Sequence, residues 1–257
     1  MVRALKQIKG ILFDKDGTLV DFHSSWVQVA TQMIGRLLVD LGLSEDSAAR
    51  ESLLDAIGLH GNAVDPRGIL ASGTTQDMSD AFVHVLQDKQ ADPEKLAGLK
   101  DWMVEELYML TKSNREHIKP AADLPRLLKQ LRGHGLKIGV ATADDQESTL
   151  FFLKKMGIAP YFDFIGTSDF YEKKPSPSML QAFCEVGGIL VEEVAVVGDT
   201  VVDLQFAKNG SAGLAIGVLS GVSGSSELKE LSTILLPSVG DIVMENGRLV
   251  WERDDKH

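Results

Sequence analysis

Ile8 to Phe13 is mostly apolar and then gives way to Asp14-Lys15-Asp16-Gly17-Thr18-Leu19. A short apolar run ending in polar residues predicts a buried strand over Ile8 to Phe13. From Ser24 the apolar period becomes helical. Trp26, Ala30, Met33, Leu37, Leu38 and Leu41 share one face, with Ser24 or Ser25 as N-cap and Gly42 as stop. A second helix is predicted after Ser44, ending near Gly58. Gly61-Asn62 through Pro66-Arg67-Gly68 reads as loop. Thr74 with Asp77 predicts the start of a third helix carrying Met78, Phe82, Val85 and Leu86. Asp92-Pro93-Glu94 opens a fourth, whose face is Leu96, Leu99, Met103, Leu107 and Leu110. Residues 22–119 are thus an all-helical insert, flanked by a second unit made of 1–21 and 120–257.

After Pro120 the rhythm changes. A helix over Leu124 to Leu131 precedes a strand, Lys137 to Ala141. There follow a helix (Gln146 to Met156), a strand (Phe162 to Gly166), a helix (Ser178 to Val186) and a strand (Val194 to Val197). Helix Val201 to Lys208, strand Gly213 to Ile216, helix Ser226 to Leu231 and strand Thr233 to Leu236 complete the series. Short β-rich runs alternating with amphipathic helices predict an α/β fold, a doubly wound and mostly parallel sheet with helices on both faces. In such sheets ligands bind beyond the carboxyl ends of the strands.

The polar residues of interest stand at those ends. The first strand runs into Asp14 and Asp16, two carboxylates beside a glycine turn, suited to a hard divalent cation and a phosphate. The second runs into Thr142-Ala143-Asp144, a hydroxyl and amides at a helix start, suited to an anion. The third leads to Lys173-Lys174-Pro175-Ser176-Pro177, and the fourth to Gly198-Asp199-Thr200-Val201-Val202-Asp203. The i, i+4 spacing would place Asp199 and Asp203 on one helix face if a helix begins there.

Composition narrows the setting. Of 257 residues, 44% are hydrophobic and 25% charged, ordinary for a globular chain. The formal net charge of −11 argues against nucleic acid or an anionic membrane as partner, because both need basic patches. Cys184, the single cysteine, excludes an intramolecular disulfide and a multi-cysteine metal cluster. Arg3, Lys6 and Lys9 are not followed by an apolar stretch of secretory-signal length, and no apolar run would span a bilayer, so a cytoplasmic protein is expected.

The four motifs, in this order, resemble those of the haloacid dehalogenase-like hydrolases. Lys-Pro-x-Pro and Gly-Asp-Thr-x-x-Asp are most similar to the phosphoglycolate phosphatase-like branch. The resemblance implies a Rossmann-like catalytic core with a helical cap domain after the first strand, Mg²⁺ as cofactor, and phosphatase chemistry through an aspartyl-phosphate. It makes Asp14 the nucleophile and Asp16 the group that protonates the leaving oxygen and later deprotonates water. It also places Mg²⁺ on Asp14, the Asp16 backbone carbonyl and Asp199, with Asp203 acting outside the direct ligands or through water. Thr142, with the amides around Ala143, would bind the phosphoryl group, and Lys174 would hold it to Asp14. The lysine next to the proline is the family's, which ranks Lys174 over Lys173. Asp16 points away from dehalogenation, since the dehalogenases lack it.

With four carboxylates and Lys174 the site carries −3 before a phosphate arrives, so a cation is expected to be needed for binding. The implied substrate is a small phosphorylated metabolite, 2-phosphoglycolate or a similar phospho-acid. A nucleoside monophosphate, a sugar phosphate, pyrophosphate, sugar phosphomutase chemistry or a non-catalytic scaffold are the alternatives. His23, Arg67, Thr74 and Thr75 are candidates for selecting the leaving group, Asp169 is an outer acid or a turn residue, Asp144 and Asp145 are helix N-terminal charges, and the protein is a monomer or homodimer.

Overall fold

The computed structural model describes residues 7–252 except 62, 90 and 115–117. Arg3, Lys6 and Asn62 of the preceding section lie outside these, as does the side chain of Ser25. Six strands pair in one sheet: β1 (Gly10–Phe13), β4 (Lys137–Ala141), β5 (Phe164–Gly166), β6 (Val194–Gly198), β7 (Leu214–Val218) and β8 (Ile234–Leu236). Their order is β5-β4-β1-β6-β7-β8, and every pairing is parallel. β1 lies centrally, with β4 on one side and β6 on the other, so the chain winds outward in both directions from it. The crevice at that reversal is where this architecture binds ligands.

Alternation along the strands divides the core between two faces. Ile11 and Phe13 of β1, Ile138 and Val140 of β4, and Ala195 and Val197 of β6 pack with Leu124, Leu127, Leu128 and Leu131 of helix α7 (Leu124–Gly133). Phe152 and Leu153 of helix α8 (Gln146–Lys155) join them. Leu12, Ala141, Val194 and Val196 turn the other way. They meet Met179, Leu180 and Phe183 of α9 (Ser178–Gly187) and Phe206 of α10 (Val201–Asn209). Cys184 is partly buried against this second face, and burial pushes its thiol up to about 11.

A third apolar cluster is built from residues 22–110, chiefly on α1 (Gln28–Asp40), α2 (Ser47–Ala56), α4 (Thr75–Asp88) and α6 (Leu99–Ser113). The two chain segments joining it to the sheet unit run side by side. Asp21 N–H donates to the Lys119 carbonyl (2.9 Å), Ala121 N–H donates to that of Leu19 (2.9 Å), and Val20 bridges Pro120 antiparallel. Tyr108 on α6 meets Phe151 on α8 edge to face, at 6.3 Å between ring centroids.

Several boundaries differ from expectation within this helical unit. The first helix does not start on Ser24 or Ser25. The chain is already coiled as one π-helical turn over His23–Val27, and the Asp21 carboxylate accepts the Ser24 N–H (2.8 Å). α2 is capped by Asp46, which accepts from Ala49 N–H (2.8 Å), rather than by Ser44. The helix expected after Asp92 is two, α5 (Pro93–Ala97) and α6, because Gly98 interrupts it. The segment read as loop holds β3 (Ala63–Val64), which pairs antiparallel with β2 (Leu59–His60) just before it, and it is followed by one turn, α3 (Ile69–Ser72).

Candidate active site

Asp14 follows the last residue of β1, and its N–H donates to the Val197 carbonyl of β6 (2.8 Å), which fixes it beside the neighbouring strand end. Lys174 Nζ lies 2.6 Å from Asp14 Oδ1 and 2.5 Å from Asp203 Oδ1. Asp14, Asp199 and Asp203 each offer one oxygen to a set lying within 4.8 Å of one another. Asp199 is oriented by the Thr18 hydroxyl, which donates to Oδ1 (2.9 Å), and by the Val222 N–H, which donates to Oδ2 (3.0 Å). Two glycines allow this approach. A Cβ on Gly17 or Gly221 would fall on the Asp199 carboxylate, and Gly17 also holds a φ of +89°.

Gly221 supplies a direct check. An alanine there must displace either Asp199 or the 220–222 backbone, costing the Val222 hydrogen bond. Overpacking of this kind costs about 1–3 kcal/mol. Gly221→Ala is therefore expected to lower the thermal midpoint. An unchanged melt would mean that the loop yields freely.

Asp199 and Asp203 do not share a helix face as their spacing suggested. Asp199 precedes α10, Thr200 is its N-cap, and Asp203 is the third helical residue. Asp203 Oδ2 accepts from the Thr200 N–H (3.0 Å) and hydroxyl (2.6 Å), while the Thr200 oxygen accepts the Asp203 N–H (3.2 Å). This reciprocal cap turns Asp203 back toward the strand end, and its other oxygen meets Lys174.

Thr142 is buried at the end of β4. Its N–H is taken by the Gly166 carbonyl (3.0 Å) and its oxygen accepts the Asp144 N–H (3.1 Å), so its hydroxyl proton is the group it can offer a ligand. Ala143 lines the same cleft. Asp145 caps α8, accepting the Ser148 N–H (2.9 Å), and Asp169 accepts the Gln146 N–H (2.6 Å); Asp169 is thus a turn and helix-start residue. Asp144 is not a simple helix-terminal charge. It is buried and paired with Lys15 (2.9 Å), which also pairs with Asp16 (2.5 Å). Lys173, the neighbour of Lys174, turns outward and pairs with Asp77 on α4 (2.5 Å).

Burial dominates the electrostatics. It pushes Asp14 up to about 7, although Lys174 pulls the other way. Asp199 is raised well above the usual carboxylate range by burial and by Asp14 and Asp203. Burial alone would depress Lys174, but its two carboxylates outweigh this and hold its pKa above the ordinary lysine value. Three crowded hard oxygen donors, on Asp14, Asp199 and Asp203, fit a small divalent cation such as Mg²⁺.

Asp14, Asp16, Thr142, Ala143, Asp144, Lys174 and Asp203 form one wall of a cleft, whereas Asp199 is fully buried and outside its lining. The opposite wall comes from the helical unit: Phe22, Trp26, the run Ile69–Thr75, Met78 and Leu107. Thr74 and Thr75 line the cleft. His23 and Arg67 are exposed and lie outside its lining. His23 packs edge-on against Phe22 (6.3 Å between centroids), and the Arg67 N–H is drawn to Asp65 (2.9 Å) in the preceding turn. Lys15, Ser72 and Gly73 border or enter this region without a signal that singles them out by spacing alone. A lysine between two acids just past a buried strand was the available signal for the first.

A family description, haloacid dehalogenase-like hydrolase, matches residues 8–210. A phosphoglycolate phosphatase from Vibrio vulnificus is 27% identical over 244 residues, covering 93% of this chain and 97% of its own. Among solved structures, CbbY from Rhodobacter sphaeroides in complex with phosphate superposes with a TM-score of 0.67 at 19% identity, covering 94% of this chain and 99% of that one. A β-phosphoglucomutase from Clostridium difficile does so with a TM-score of 0.65 at 17% identity, covering 93% and 95%. The family match spans most of the chain and takes in every strand-end acid of the cleft. The chain belongs to the haloacid dehalogenase-like hydrolases.

Proposed function

We propose that this protein is a Mg²⁺-dependent phosphomonoesterase acting through an aspartyl-phosphate on Asp14, with 2-phosphoglycolate or a similar small phospho-acid as its substrate. The observation that carries the reading is the Lys174 bridge between Asp14 and Asp203, beside Asp199, at the end of the central strand. One Asp14 oxygen is held by Lys174, which orients the other for in-line attack on phosphorus. The Lys174 ammonium and Thr142 hydroxyl stabilise the phosphoryl oxygens. Asp16, lining the cleft, gives a proton to the leaving oxygen as the P–O bond breaks. It then takes one from the water that attacks the phosphoryl group and releases Asp14. Asp14, Asp199 and the Asp16 carbonyl would hold Mg²⁺, with Asp203 outside them or acting through water. When bound, the ion neutralises the charge that the acids and the phosphate would otherwise oppose to each other.

We take the helical unit, residues 22–119, as a cap that excludes water and selects the leaving group. Thr74 and Thr75 are the proposed selecting residues, and the Lys173–Asp77 pair joins their helix to the lysine loop. Relatives named phosphoglycolate phosphatase, matched over nearly their whole length, support the substrate class.

The test is phosphate release from an aryl phosphate with and without Mg²⁺, followed by a phosphometabolite panel. Mg²⁺-dependent hydrolysis, with the highest kcat/KM on 2-phosphoglycolate, is expected. No hydrolysis of any phosphate would overturn the reading, and a clear preference for sugar or nucleoside phosphates would overturn its substrate.

A further inference from the structure

Lys15 is 4% exposed, although it sits between two strand-end acids and belongs to none of the roles above. Its ammonium contacts Asp16 Oδ2 at 2.5 Å and Asp144 Oδ2 at 2.9 Å. The rings of Trp26 and Phe152 each stand 5.9 Å from it, so apolar faces close the remaining sides. Asp144 is itself anchored: its Oδ1 accepts the Asp145 N–H (2.9 Å), and its carbonyl accepts the Ser168 N–H (3.1 Å). A buried ammonium with fixed partners cannot swing out to solvent, so it acts as a rigid clamp on whichever carboxylate oxygen it holds.

We propose that Lys15 is the positioning residue for Asp16, pinning Oδ2 so that Oδ1 faces the departing oxygen, and that Asp144 holds Lys15 in place. The inference rests on the phosphomonoesterase reading and adds to it a residue outside its reacting groups. It also explains why a second lysine is buried at the strand ends, beside acids other than the two that Lys174 pairs with. A carboxylate free to rotate about its side-chain torsions would spend part of its time turned away from the cleft, and proton transfer requires hydrogen-bond reach.

The test is the ratio of kcat for an alkyl phosphate to kcat for 4-nitrophenyl phosphate. An alkoxide needs a proton to leave and a nitrophenolate does not, so the ratio reports Asp16 placement and is blind to general loss of active protein. Lys15→Met is expected to lower the ratio about 10–100-fold, part of the 10²–10⁴ that acid–base assistance supplies. Removing one buried partner can itself unfold a protein, whereas removing both is often tolerated. The double variant Lys15→Met with Asp144→Asn therefore keeps the acceptor for Asp145 and leaves no unpaired carboxylate at position 144. If Lys15 only balances buried charge, the double variant recovers the wild-type ratio, and the proposal is overturned. If Lys15 positions Asp16, the double variant stays low. Asp144→Asn alone keeps the Lys15–Asp16 pair and guards against misfolding; a few-fold drop is expected, and an unchanged ratio overturns the anchoring role. An active wild-type protein with an unmoved ratio defeats only this inference. A wild-type protein with no phosphatase activity defeats the reading beneath it.

Discussion

Replacing Asp14 by asparagine is expected to abolish turnover, with a loss of at least about 10⁴-fold in kcat, because an amide cannot form the acyl phosphate. The same substitution should stabilise the metal-free protein at alkaline pH. Asp14 is pushed up to about 7 by burial, so at pH 8 its charge is maintained against its surroundings. A shift of that size corresponds to about 4 kcal/mol at most. The amide has nearly the same shape and no charge, and Lys174 keeps Asp203 as its partner. The gain in thermal midpoint should be large at pH 8 and shrink toward pH 5.5, where wild-type Asp14 is already neutral. Two measurements decide this: single-turnover kinetics on the purified variant, and paired melts at the two pH values in chelator. A variant retaining a substantial fraction of wild-type kcat would remove Asp14 from the nucleophile's role. A stability gain independent of pH would place its origin elsewhere.

The sheet unit was legible because its signals are local and repeated. The strand over Lys137–Ala141 appears with its predicted bounds, and the others shift by a residue or two. Short apolar runs buried on both faces leave little freedom in where a strand can lie. The helical unit was less legible at its ends. Ser24 and Ser44 are good N-caps by type, yet Asp21 and Asp46 took those positions, because a carboxylate three residues before a free N–H competes with any nearby hydroxyl. The acids of the site were found by type and order, but the reason they converge was not. Asp199 and Asp203 meet through a capping box and a lysine 29 residues upstream of Asp203, neither of which a helical-face argument contains. Lys15 resembles an ordinary turn charge and Asp144 a helix N-terminal one, and only the pairing of β1 with β4 brings them within 2.9 Å.

The acidic cluster also couples cation binding to pH. Asp14, at about 7, and Asp199, raised well above its usual value, hold protons in the folded metal-free protein that the unfolded chain has released. Between about pH 4 and 7 the folded state therefore binds more protons, and its stability falls as pH rises through that window. Lys174 is raised as well, but it titrates far above this range and remains charged throughout. A divalent cation bound by the same oxygens must displace those protons. Apparent Mg²⁺ affinity is thus expected to rise about tenfold per pH unit for each proton displaced, from pH 5.5 toward 7. Stabilisation by saturating Mg²⁺ should grow over the same interval and offset the decline seen in chelator. Calorimetric titration in two buffers of different ionisation enthalpy counts the protons directly, and proton release is expected at pH 6. Asp14→Asn should remove one of them. A flat Mg²⁺ affinity from pH 5.5 to 7.5, with no proton release, would show that the cluster is already ionised without the metal.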